Sequence, residues 1–337
     1  MRLLWPTLLC GFAVCTTLSC GGGETKAPEP ACTPGRFVMA GFRVVWTTNP
    51  DGSWSTIPDD LQASYYDGLA YGKGRLVALG DDGRVVISDD RGATFYRANG
   101  SSGVEAYELH FRRDRFIAVG RDLASTQDAP RGLVVASEDG LSWAPITPPL
   151  DGGFIEAFDA SDGALVVVGG GALAGSLHRY TEAAGWQVVS ATGGPAYRGV
   201  FHDGQAFLAI ASDDPETGRG ALARSTDDGV TFEVRDLEPG FVSLSASGGH
   251  YFATGFKKVA ISEDAASFRT FEFEAPSNRP EDADAWYFYK MAHDGCGFLA
   301  VGGLHGWNAK SADGKAWADQ LGPTHGNLLE VIHVPEP

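Results

Sequence analysis

Ser88-Asp89-Asp90-Arg91-Gly92-Ala93-Thr94-Phe95 returns further along the chain as Ser225-Thr226-Asp227-Asp228-Gly229-Val230-Thr231-Phe232. Weaker versions occupy residues 137–143, 262–268, 311–317, 181–186 and 48–54, which makes seven. Each follows a run of the type R-F-[IV]-A-V-G and a short apolar segment. Recurrence of short apolar runs at this length is the signature of a propeller rather than of a globular mixed fold.

The R-F-[IV]-A-V-G half supports the same count. Residues 36–41, 75–80, 115–120, 164–169, 206–211, 250–255 and 297–302 are rich in Val, Ile, Leu and Phe and bounded by Gly and Asp. Such runs favour strands over helices. Their period, about 43 residues, holds four strands of five to six residues with short turns. No stretch downstream of residue 31 shows sustained helical apolar spacing with caps. The fold class is therefore all-β, a seven-bladed propeller spanning residues 32–337.

The ends complete the ring. Innermost strands are expected to start at Tyr65, Ala106, Phe154, Tyr197, Phe241 and Trp286, and a seventh at residues 327–334 has no strands after it. The N-terminal unit lacks an innermost strand. The two defects complement each other, so 327–334 is expected to pair beside 36–41 and remove two open sheet edges.

The S-x-D-x-G-x-[TS]-[FW] half resembles the Asp-box, or BNR, motif of sialidase-like propellers, and the resemblance covers nearly all of residues 36–334. It implies that each box is a turn between a blade's third and fourth strands. There the Asp accepts turn amides, the Gly takes positive φ and the aromatic packs beneath. Asp90, Asp139, Asp227, Asp264 and Asp313 are accordingly read as structural residues, not as calcium ligands or catalytic acids. In the family the boxes lie opposite the ligand-binding face.

Residues 1–19 read as a secretion signal: Arg2, then an apolar stretch too short for an ordinary membrane span. Leu18-Ser19-Cys20 followed by three glycines resembles a bacterial lipobox, with Thr17 departing from it, so Cys20 is expected to carry a lipid. Residues 21–31 (GGGETKAPEPA) form a flexible tether. The expected location is the cell envelope beyond the inner membrane, anchored at the outer membrane. Of five cysteines, Cys32 and Cys296 remain for an oxidising compartment. Both precede second strands of adjacent blades, and a ring-closing disulfide is expected. The net charge of −17 argues against nucleic acid or an anionic membrane surface as partner. The domain is expected to be monomeric.

Loops between second and third strands, and between blades, surround the channel mouth opposite the boxes. Around the junction of the last and first blades the sequence gathers Trp286, Tyr287, Tyr289, His305, Trp307 and His325. Flat rings beside hydrogen-bonding groups suit a sugar or an extended peptide, although the tyrosines and Trp286 could equally fill the tapering core. The histidines lack metal-ligand spacing, so neither a metal nor a cofactor is expected. Sialidases need an arginine triad, and their first arginine sits in [FY]-R-I-P. Phe42-Arg43-Val44-Val45 has no proline. Among Arg43, Arg121, Arg131, Arg198 and Arg219, only Tyr197-Arg198 is suggestive. Glu105, Glu108 and Glu156 lie at inner strands, where inward acids are unusual. No P-loop, G-x-S-x-G, H-E-x-x-H or dinucleotide fingerprint occurs. The expected function is a non-catalytic module binding a carbohydrate or an envelope protein. The alternatives are a glycoside-acting hydrolase and a purely structural envelope component.

Overall fold

The computed structural model describes residues 35–49, 53–190, 195–211, 220–273, 287–303, 306–321 and 326–336. The chain clusters into two units, 1–31 and 32–337, and every described residue belongs to the second. That unit is a seven-bladed β-propeller of antiparallel sheets. From the inside outwards, the second blade orders Tyr66–Gly72, Arg75–Gly80, Arg84–Ser88 and Tyr96–Ser101, and the other blades repeat the pattern. The first blade takes its inner strand from the opposite end of the chain. Leu328–Pro335 runs antiparallel to Gly35–Gly41, with Arg36 opposite Val334 and Met39 opposite Val331. The expected closure is thus observed. The remaining inner strands are Val104–Arg112, Gly153–Ala160, Tyr197–His202, Phe241–Ser247 and Phe288–His293. All lie within two residues of the starts read from sequence.

Burial explains why the second strands read as unbroken apolar runs. Leu76 to Leu79, Phe116 to Val119 and Phe207 to Ile210 are sandwiched on both faces by neighbouring blades. The core accordingly lies between blades: seven clusters occupy the seven interfaces. Each repeat's terminal aromatic packs against one of them, always on the side of the preceding blade. Phe95 joins the cluster between the first and second blades, Trp143 the next, then Trp186, Phe232, Phe268 and Trp317, and Trp54 closes the circle.

The turns that place those aromatics are built on the aspartates. Asp227 accepts the amides of Val230 (3.1 Å) and Thr231 (2.9 Å) and the hydroxyls of Ser225 (2.7 Å) and Thr231 (2.6 Å). Asp90 is held likewise by Ser88 and Thr94. Asp139, Asp264 and Asp313 each accept two turn amides and a serine hydroxyl. These donors hold the carboxyls of Asp139, Asp227, Asp264 and Asp313 below the usual range. The two strong copies contain one residue more and therefore spend two successive left-handed residues, Arg91 (φ 60°) with Gly92 (φ 87°) and Asp228 (φ 62°) with Gly229 (φ 80°). Cys296 sits in the turn between the first and second strands of the last blade and is disulfide-bonded. Cys20 and Cys32 lie outside the described residues.

Candidate functional site

Inner strands line the channel, and each one skips a residue near its start. Tyr66 pairs with Gly80 and Gly68 with Leu79, leaving Asp67 unpaired. The same bulge skips Tyr107, Glu156, Arg198, Val242, Tyr289 and, in the closing strand, Leu329 in the strand register. A bulge bends its strand and re-aims a side chain. Seven bulges at one level give a ring whose members are all partly exposed, while the residues before them are buried. Opposite them stand Gly80, Gly120, Gly169, Ala211, Gly255, Gly302 and Gly41. At Gly41, Gly120, Gly255 and Gly302 a carbonyl oxygen occupies the place of a Cβ, which accounts for the last letter of R-F-[IV]-A-V-G there. A Cβ on Gly120 would strike the carbonyl oxygen of Glu105, and one on Gly302 that of Tyr287.

Aromatic rings border this level where the last, first and second blades meet. Tyr287 and Tyr289 stack at 6.2 Å and 18°, and Phe256 leans on Tyr287 at 5.3 Å. Phe42 and Tyr65, 36% and 37% exposed, meet edge to face at 5.2 Å. Across the opening, Tyr107 meets Phe154 at 5.1 Å. Burial, then the nearby Tyr287 and Tyr65, raise the Tyr289 hydroxyl. Of the mouth residues read from sequence, the structure therefore brings together Tyr287 and Tyr289. Arg43 stands in the turn beside Phe42, and Arg198 is the exposed member of the bulge ring. Trp307 requires a correction. It opens a third strand, is fully buried, and stacks on Phe288 at 4.1 Å in the cluster between the last two blades. Sequence placed it among the residues of the channel mouth, but the third strand begins there and its side chain turns into the blade interface. Trp286, His305, His325 and Arg219 lie outside the described residues.

Below the ring the channel is ionic. Lys290 Nζ is 2.7 Å from Glu108 Oε1 and 4.0 Å from Glu330 Oε2. Glu108 also accepts the Phe158 amide at 2.7 Å and faces His110 at 3.3 Å. Burial works against its charge, but Lys290 and His110 prevail and hold its carboxyl down at about 2. Glu330 has no such surplus of cations, and burial pushes it up to about 7. Asp67 reaches about 7 by burial together with Asp81, Glu330 and Glu105. One level further, Asp159 is fully buried and ties three blades together. It accepts two bonds from Arg112 (2.8 and 3.0 Å) and the His202 amide (2.8 Å). Sequence reading marked Glu108 as odd but missed Asp159, Arg112, Lys290 and Glu330. Period-two alternation aligns them only when it is counted from the bulge, whose position the strand pairing reveals.

Chemically, several of these ions are already paired. Glu108 and Asp159 are saturated by cations and amides, Arg121 pairs with Glu105 at 2.5 Å, and Arg131 pairs with Asp122 at 2.6 Å. No three His, Cys, Asp or Glu side chains among the described residues converge as metal ligands.

No protein-family model matches the sequence, and no curated protein matches it. Solved structures do match in shape. YCF48 bound to D1 peptide superposes with a TM-score of 0.57 at 13% identity, over 80% of this chain and 86% of that one. A candidate 6-phosphogluconolactonase from Bacteroides uniformis gives 0.60 at 10%, over 89% and 99%. PorZ, a surface component of the type-IX secretion system of Porphyromonas gingivalis, gives 0.50 at 12%, and this chain spans 46% of its length. The likeness is one of fold.

Proposed function

We propose that this chain is an Asp-box propeller of the bacterial cell envelope, lipid-anchored through Cys20 at the outer membrane, closed by a Cys32–Cys296 disulfide and non-catalytic. Its task is to grip an extended segment of an envelope protein across the loop-rich mouth. The observation that carries this reading is the pairing of half-exposed rings, Phe42 with Tyr65 and Tyr287 with Tyr289, above a channel whose cations are already neutralised. Such rings offer large contact area at little entropic cost. The fold shared with YCF48, seen with a peptide, agrees with it.

The test is a tiled peptide array of envelope proteins probed with the purified domain, followed by titration of retained peptides. Phe42→Ala and Tyr65→Ala should each weaken binding about thirtyfold if they act as hot spots. Retained peptides indifferent to both substitutions would overturn the reading. One observation favours a second reading as a glycoside-acting hydrolase. Asp67, held near neutrality, has the poise of a general acid. Turnover of sialosides or aryl glycosides that disappears in Asp67→Asn would establish that reading instead.

A further inference from the structure

A cavity of about 250 Å³ occupies the channel on the far side of the ionic level, room for about eight waters. Its lining runs from Lys290 and Glu330 to Tyr71, Arg112, Ser247 and His333 at the inner-strand ends. Those ends share a face with the aspartate turns, so the cavity is distinct from the aromatic mouth. Ala70, Phe201, Ala292 and Ile332 supply apolar wall.

Apart from the Nε2 of His333, which has no hydrogen-bond partner, most of the polar capacity in this cavity is committed. Arg112 belongs to Asp159 and Lys290 to Glu108. The hydroxyls of Ser245 and Ser247 donate to the carbonyls of Met291 and His293. Glu330 differs. It is 8% exposed, and its Oε1 accepts the Val331 amide at 3.1 Å. Its Oε2 sees Lys290 only at 4.0 Å, beyond hydrogen-bond reach. Two carboxylates thus share one ammonium at the floor, and an ionised Glu330 is the uncompensated charge. Buried charges require a partner.

We propose that the channel cavity is a binding site for a primary alkylammonium group, with Glu330 Oε2 receiving its N–H bonds and the Phe201–Ile332 wall its alkyl stem. This site is independent of the aromatic mouth. The groups facing Glu330 are Lys290 from the last blade, Glu108 and His110 from the third, and Asp67 from the second. With these neighbours Glu330 keeps its proton until about pH 7. A cation that pairs with the ionised form must displace that proton, so affinity should rise with pH through neutrality and then level off.

The experiment titrates the intact chain calorimetrically with n-butylammonium, and with 1-butanol and butyrate as isosteric controls, at pH 6 and pH 8. Saturable binding of butylammonium alone, stronger at pH 8, is expected. Glu330→Gln should weaken it about tenfold, as loss of one charge-assisted bond does, and remove its pH dependence. Ser245→Leu fills the cavity and leaves the ions in place, so it should abolish binding even if Glu330→Gln folds poorly. A second arm with acetyl-Gly-Lys-Gly-amide separates a lysine side chain, which would bind as butylammonium does, from a free amine, for which the tripeptide would not bind. Equal binding of butanol or butyrate, unchanged affinity in either variant, or no saturable binding of butylammonium would overturn the site.

Discussion

Gly302 shows how one residue carries the architecture. It faces the bulge at Tyr289, and the Tyr287 carbonyl occupies the space a side chain would need. Gly302→Ala should cost about 1–3 kcal/mol, the usual penalty of overpacking, read as a lower denaturant midpoint with an unchanged slope. Glu330 gives the complementary case, a residue that costs stability. Its carboxyl is raised from its ordinary value to about 7. The folded state therefore holds a proton that the unfolded state has released. That contribution is fully present below about pH 4.5 and is lost as pH rises through 7. Glu330→Gln should accordingly melt like the parent at pH 4 and above it at pH 8. A melting difference independent of pH would refute this account.

At the scale of the element, the unit of construction is the strand–turn–strand that ends in an aromatic. The aspartate orders the turn and the turn delivers the ring to the preceding blade. Trp317 meets Phe271, Phe273 and Phe298 at 5.9–6.2 Å in this way. Trp317→Ala should cost about 2–3 kcal/mol, below the 3–5 of a fully buried aromatic because Trp317 is half-buried. The seven aromatics were legible because they recur at fixed spacing. The seven bulges were not: a bulge adds a residue without changing composition, and only pairing with the second strand reveals which residue is skipped.

For the whole molecule, closure is the decisive event. Inner strands touch their neighbours around the full ring, and Leu328–Pro335 is the link that joins the two ends of the chain. Deleting residues 327–337 would expose the edge of Gly35–Gly41 and break two blade interfaces, those holding Val334 and Val331. The truncated domain should lose its single cooperative unfolding transition and aggregate. A chain that still melts in one step at the parent temperature would contradict closure by this strand.

The fold class, the number of blades and the closing strand were determined by the sequence itself, because each rests on local pattern: alternation, turn chemistry and spacing repeat seven times, and the unpaired halves at the two ends have only each other. What the channel contains was decided by tertiary structure alone. Lys290 and Glu108 are 182 residues apart and meet because opposite blades face one axis. Asp159 joins three blades for the same reason. Trp307 shows the converse: the sequence gathers it with the mouth residues, and only the packing of adjacent blades buries it. Charge pairing across a ring depends on how every blade is placed, and no local spacing records that.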